Sequence, residues 1–124
     1  MLYIVATPIG NLDDMTRRAV EALRGANVIA CEDTRRTRIL LSHFEIPVPG
    51  RFMSYREHNE ERAGEQLMGL LAEGNTVALC TDGGYPGVSD PGYRLIRLAV
   101  ERGVEFQVIP GASAVSVALL SSGL

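Results

Sequence analysis

Lysine is absent from this 124-residue chain: all 12 cationic residues are arginine. A phosphate-loop lysine, a pyridoxal Schiff base and a lysine general base are therefore excluded. Histidine and cysteine are scarce, two of each. Cys31 and Cys80 stand in apolar, strand-like runs with no ligand spacing around them. They read as free thiols in a reducing compartment, and no dedicated zinc site is expected. No apolar run reaches the ~18–20 residues of a membrane span. Met1–Ala6 is too short for a signal-peptide core and has no basic lead. The expectation is a soluble, cytoplasmic protein. A net charge of −3 excludes a globally basic nucleic-acid binder but leaves room for a local basic face.

What is present is a regular alternation of short apolar runs and helical stretches. Apolar content of 46% supplies a core for one domain. Strands are predicted at Leu2–Ala6, Asn27–Cys31, Arg51–Tyr55, Thr76–Cys80 and Glu105–Ile109. Between them, Asp14–Arg24 places Met15, Ala19, Ala22 and Leu23 at helical spacing, with Gly25 as its stop. Asp33 or Thr34 caps a helix running to about His43. Asn59–Glu73 carries Ala63, Leu67, Leu70 and Leu71 on one face. Asp90-Pro91 reads as an N-cap followed by proline at the first helical position of a helix to about Arg102. Ala112–Ser122 is a last helix, apolar and rich in small residues; it suits packing against another surface and equally the interior of this domain. Strands separated by helices imply right-handed crossovers. The expected fold is α/β, a three-layer α/β/α domain over residues 1–124 with a mainly parallel five-stranded sheet.

In such a sheet, ligands bind beyond the carboxyl ends of the strands. The loops leaving those ends are Thr7–Asn11, Glu32–Arg36, Tyr55–Asn59, Thr81–Gly92 and Pro110–Ala114. Each is rich in glycine, proline or polar residues. The loop Thr81–Gly92 holds four glycines and two prolines in twelve residues. Glycine lets the backbone approach a ligand closely, and proline lowers the entropy lost on clasping it. That density exceeds what a connection needs and points to binding. Gly-x-Gly-x-x-Gly is absent after the first strand, so ordinary dinucleotide binding is weakly supported. Gly87-Val88-Ser89-Asp90-Pro91 lacks the last glycine of a nucleophile elbow, and neither His43, on a helix, nor His58, beside a loop, has an obvious nucleophile to form a triad.

Thr81-Asp82-Gly83-Gly84-Tyr85-Pro86-Gly87-Val88-Ser89-Asp90-Pro91-Gly92 resembles the signature of the ribosomal RNA small subunit methyltransferase I family, within the tetrapyrrole methylase superfamily. Leu2–Leu12, Cys31–Arg35, Glu57–Glu60 and Pro110–Ala114 are similar to other segments of that family, in order along the chain. Gly83, Thr81 and Ala112 replace the family's usual alanine, serine and proline. Tyr85 stands where threonine is commonest, a bulkier side chain at the expected methionine end of the site.

The resemblance implies S-adenosyl-L-methionine as cofactor. It implies methyl transfer to the ribose 2′-hydroxyl of a cytidine in small-subunit ribosomal RNA, in the cytoplasm and by a homodimer, with no metal and no membrane. Pro8, Asp82, Gly83, Gly84, Tyr85, Pro86, Gly87, Val88, Ser89, Pro110, Gly111 and Ser113 are its expected cofactor residues. Glu32, Asp33 and His58 are the candidates for catalysis, with helix capping the alternative for Asp33. Arg35, Arg36, Arg38 and Arg56 are candidates for RNA contact, with a solvated helix face the alternative. Family members carry a second α/β domain, and this chain stops at Ser122-Gly123-Leu124, about where that domain begins. The chain is accordingly expected to be an N-terminal domain, inactive alone. A macrocycle methylase and a non-catalytic cofactor-binding module are the competing readings.

Overall fold

The computed structural model describes residues 1–88 and 91–124. The sequence expectations for Ser89 and Asp90 lie outside them. Five strands, β1 (Leu2–Val5), β2 (Val28–Cys31), β3 (Arg51–Ser54), β4 (Val77–Leu79) and β5 (Phe106–Ile109), form one sheet in the order β3-β2-β4-β1-β5. Every ladder is parallel. The helices are α1 (Arg17–Gly25), α2 (Thr34–His43), α3 (Glu60–Ala72), α4 (Tyr93–Glu101) and α5 (Ala114–Ser121).

Side chains alternate across the pleat, so each strand feeds both faces. Leu2, Ile4, Val28, Ala30, Val77 and Leu79 join Leu67 of α3 and Leu95 and Ala99 of α4 on one side. Val5, Ile29, Cys31, Ala78 and Cys80 join Leu23 of α1 and Leu41 of α2 on the other. The sheet is thus covered on both faces, as the near-continuous apolar strands require. Both thiols are buried, and desolvation pushes their pKa values up. They behave as packing residues. No helix among the described residues is long and apolar enough to cross a membrane.

Beyond shifts of a residue or two at element ends, three features differ from the sequence reading. The first is at α1. Asp14 belongs to a 3₁₀ turn over Leu12–Asp14, and α1 starts at Arg17, where Thr16 Oγ1 accepts the Ala19 N–H at 3.1 Å. Gly25 is the last helical residue of α1. The second is at α4, which begins at Tyr93 with Gly92 as its N-cap, later than Asp90-Pro91 suggested. Gly92 has φ +128°, and the Pro91 carbonyl accepts the Gly87 N–H at 3.0 Å, so Gly87, Pro91 and Gly92 are held together ahead of α4. The third is α5, which has no buried residue; Leu120 is 78% exposed. Packing of α5 inside this domain is therefore overturned: it is an apolar helix laid against solvent.

Candidate functional site

The strand order creates the site. Helices α1 and α2 carry the chain from β1 outward through β2 to β3 on the Val5 face. Helices α3 and α4 carry it back through β4 to β5 on the Leu2 face. Neighbouring strands β1 and β4 therefore send their loops to opposite faces. A crevice opens between such loops at the carboxyl edge.

Three loops are laced together there. Gly84 N–H donates to the Thr7 carbonyl at 2.9 Å, and Thr7 N–H returns to the Gly84 carbonyl at 3.1 Å. Buried Thr7 also donates its hydroxyl to the Thr81 carbonyl at 3.2 Å. The Gly111 N–H, from the loop after β5, donates to the Tyr85 hydroxyl at 2.9 Å. Glycine is required where the loops touch. A Cβ on Gly111 would sit 2.9 Å from the Ala6 Cβ, and one on Gly83 would sit 3.1 Å from the Pro8 carbonyl oxygen. Tyr85, the bulky departure, serves as a tie between the β4 and β5 loops.

The crevice beside this lacing has two connected parts. One of about 560 Å³ is lined by Pro8, Ile9, Gly10, Asn11, Asp82 and Gly83, among others. The other, about 100 Å³, is lined by Thr7, Thr37, Leu40 and Thr81. Pro8, Leu12, Arg36 and Asp82 line both. The combined size is that of a small-molecule site. A larger concavity of about 1010 Å³ lies along β3 and α3 and is lined by Met53, Ser54, His58 and Arg62 among others. It is at the rim of the sheet, two strands from β4, and it lacks the glycine-rich lacing.

The predicted residues thus separate into two groups. Pro8, Asp82, Gly83, Gly84, Tyr85 and Gly111 converge on the switch point. Pro86 is buried and Gly87 closes the turn with Pro91, while Val88 and Pro110 are exposed. Ser113 accepts the Ser116 N–H and caps α5. Along β2 and β3, Asp33 accepts the Arg35 N–H at 2.9 Å and caps α2. That bond and the neighbouring Arg36 N–H hold its carboxyl below the ordinary aspartate range. The Glu32 carbonyl accepts the Arg56 Nε–H at 2.9 Å, which ties the β2 and β3 loops. Arg38 lies over the Phe52 ring, 5.1 Å from its centroid. Arg35 is exposed. His58 does not share the crevice with Asp82. Among the described residues, no group of three or more His, Cys, Asp or Glu side chains could hold a metal ion.

The family profile described as Tetrapyrrole (Corrin/Porphyrin) Methylases matches residues 1–124. The chain belongs to the tetrapyrrole methylase family. The methyl donor of that family is S-adenosylmethionine. The chain is 51% identical, over 99% of its length, to the ribosomal RNA small subunit methyltransferase I of Halalkalibacterium halodurans. It is 50% identical over its whole length to that of Synechocystis and 46% identical over 99% to that of Escherichia coli O157:H7. It spans 42%, 44% and 42% of those relatives. Among solved structures it resembles a uroporphyrin-III-C-methyltransferase from Thermus thermophilus (TM-score 0.72, 26% identity, 99% of this chain and 51% of that one). It also has the fold of the cobalt precorrin-4 methyltransferase CbiF (TM-score 0.76, 20% identity, 98% and 50%).

Two tetrapyrrole methylase residues escaped the sequence reading of the site. Thr7 sits in a recognised loop, but its double role in the lacing has no local signature. Glu60 is 3% exposed, and its Oε1 accepts both the Tyr55 hydroxyl at 3.2 Å and the Gly92 N–H at 3.1 Å. The signal for it was available: Glu60 falls on the stripe of α3 that carries Ala63, Leu67 and Leu70, where a carboxylate is out of place.

Proposed function

We propose that this chain is the S-adenosylmethionine-binding half of a methyltransferase acting on small-subunit ribosomal RNA, with the ribose 2′-hydroxyl of a cytidine as acceptor. The laced crevice carries the cofactor part of this reading. Its residues fit the group: the Gly83 backbone supplies close-approach surface, Gly84 and Gly111 fasten the loops behind it, and Asp82 and Arg36 offer one charge of each sign to a zwitterionic amino-acid end. Bound there, S-adenosylmethionine supplies an activated sulfonium methyl. What remains for the protein is alignment of the acceptor oxygen with the methyl carbon and removal of the hydroxyl proton. Glu32 follows β2, the strand beside β4, whereas His58 follows β3 at the sheet's rim, and Glu32 is the favoured of the two to receive that proton or orient the ribose. Arg35, Arg38 and Arg56 form the neighbouring cationic edge for phosphate contact. The enzyme acts in the cytoplasm as a homodimer, and the exposed apolar face of α5 is consistent with burial in the longer protein.

A macrocycle methylase is the second reading, favoured by the likeness to the uroporphyrin enzyme. The higher identity to the ribosomal RNA enzymes supports the first. The test is methyl transfer by this chain joined to the second half of the Halalkalibacterium halodurans relative. Label from methyl-labelled S-adenosylmethionine should appear on a cytidine ribose of small ribosomal subunits and vanish with Gly84→Val. Label appearing instead on a porphyrin-type macrocycle would move the assignment to the second reading.

A further inference from the structure

The core stripe of α3 contains a carboxylate, Glu60, among apolar neighbours Ala63, Leu67 and Leu70. Burying it is costly unless it is fully used. Glu60 is used on two partners from different parts of the chain. Tyr55, wholly buried at the end of β3, donates its hydroxyl at 3.2 Å; Gly92, 32 residues away, donates its N–H at 3.1 Å. Gly92 is held in an unusual conformation, φ +128°, and pressed on the loop behind it. A Cβ there would lie 2.8 Å from the Gly87 nitrogen and 3.1 Å from the Pro86 Cβ. Gly87 in turn donates its N–H to the Pro91 carbonyl at 3.0 Å. A continuous set of contacts therefore runs from the core of the α3–α4 layer through Gly92 to Gly87. Gly87 is three residues from Gly84, which pairs with Thr7 at the crevice. The near limb of the loop is fixed by Thr7, and the far limb by Glu60.

We propose that Glu60 is a positioning residue for the cofactor loop: from the opposite face of the sheet, its buried carboxylate fixes Gly92 and so holds the Gly84–Gly87 backbone in its binding shape. This rests on the cofactor reading above. Glu60 acts through the loop and touches no ligand itself.

The test compares Glu60→Ala, Glu60→Asp and Glu60→Gln in this chain, well below each variant's unfolding temperature. Amide exchange at Gly92 and calorimetric affinity for S-adenosylhomocysteine are both read. Glu60→Ala should speed Gly92 exchange and weaken affinity about tenfold, the scale of losing one or two buried hydrogen bonds. Glu60→Asp, too short to reach, should resemble it and serves as the milder change if the alanine variant does not fold. Glu60→Gln keeps an acceptor oxygen at the same reach and should restore both readouts. Faster exchange with unchanged affinity would overturn the proposal and leave Glu60 a purely structural residue. Unchanged Gly92 exchange would remove the clamp itself. If the unaltered chain fails to bind while Glu60→Ala still speeds exchange, the clamp stands and the cofactor reading falls.

Discussion

The two halves of the sheet's carboxyl edge are built from different materials. Over β1, β4 and β5 the loops are joined backbone to backbone, with glycines at the points of contact and the hydroxyls of buried Thr7 and half-buried Tyr85 as ties. Over β2 and β3 the edge carries many charged side chains, and its bonds include local caps and an Arg56–Glu32 tie. The first half is closed by main-chain bonds and is poor in charged side chains, suited to a small ligand gripped by main chain. The second half is charged and exposed, suited to a large polyanion. Affinity for a cofactor and affinity for RNA should therefore respond to separate sets of substitutions.

The largest effect is expected where the laced loop can least yield. Gly92→Ala places a Cβ 2.8 Å from the Gly87 nitrogen at a φ that alanine disfavours. It should cost about 2–4 kcal/mol in urea unfolding. Gly50→Ala, with open space around it and no positive φ, should be nearly silent in the same assay. Thr7→Val leaves the buried Thr81 carbonyl without its hydroxyl donor and should cost about 1–3 kcal/mol. Tyr85→Phe leaves the Gly111 N–H unpaired and should cost about 1 kcal/mol. On the charged half, Arg56→Ala should change stability by less than about 1 kcal/mol while weakening RNA binding at low salt. An Arg56→Ala protein that lost S-adenosylhomocysteine affinity instead would erase the division between the halves.

The smallest effect concerns pH. Helix-start N–H groups hold the Asp33 carboxyl below its ordinary range in the folded chain. Its contribution is therefore present above the unfolded aspartate pKa and is lost as pH falls through the folded value. Asp33→Asn keeps an N-cap acceptor but has no charge to lose. The stability difference between the two proteins should shrink between neutral pH and the acid side of the aspartate range, as followed by thermal unfolding.

Local chemistry made some of this legible in the sequence. Asp33 announces α2 because a side chain caps amides only two or three residues away, and α2 runs over Thr34–His43 as expected. The sheet was legible because apolar strands flanked by helices have few other solutions. Strand order was not, since right-handed crossovers allow several arrangements, and with it the pairing of the β1 and β4 loops stayed hidden. The start of α4 was misplaced because Asp90-Pro91 satisfies every local rule for a helix start, whereas Gly92 obeys Glu60, a residue on another helix. The apolar pattern of α5 gave a helix but could not say whether the domain would cover it. In the site, the glycine-rich loop was visible by composition; its fastening by Thr7, Tyr85 and Glu60 depends on contacts between residues 26 to 77 positions apart.

The central claim is that the laced half binds the methyl donor, and calorimetric titration with S-adenosylhomocysteine tests it most directly. The chain should bind saturably. Gly84→Val, which forces a β-branched residue to φ +79° beside Ile9, should abolish binding, and His58→Ala should leave it unchanged. Binding lost with His58→Ala and retained with Gly84→Val would contradict the account and move the site to the rim of β3.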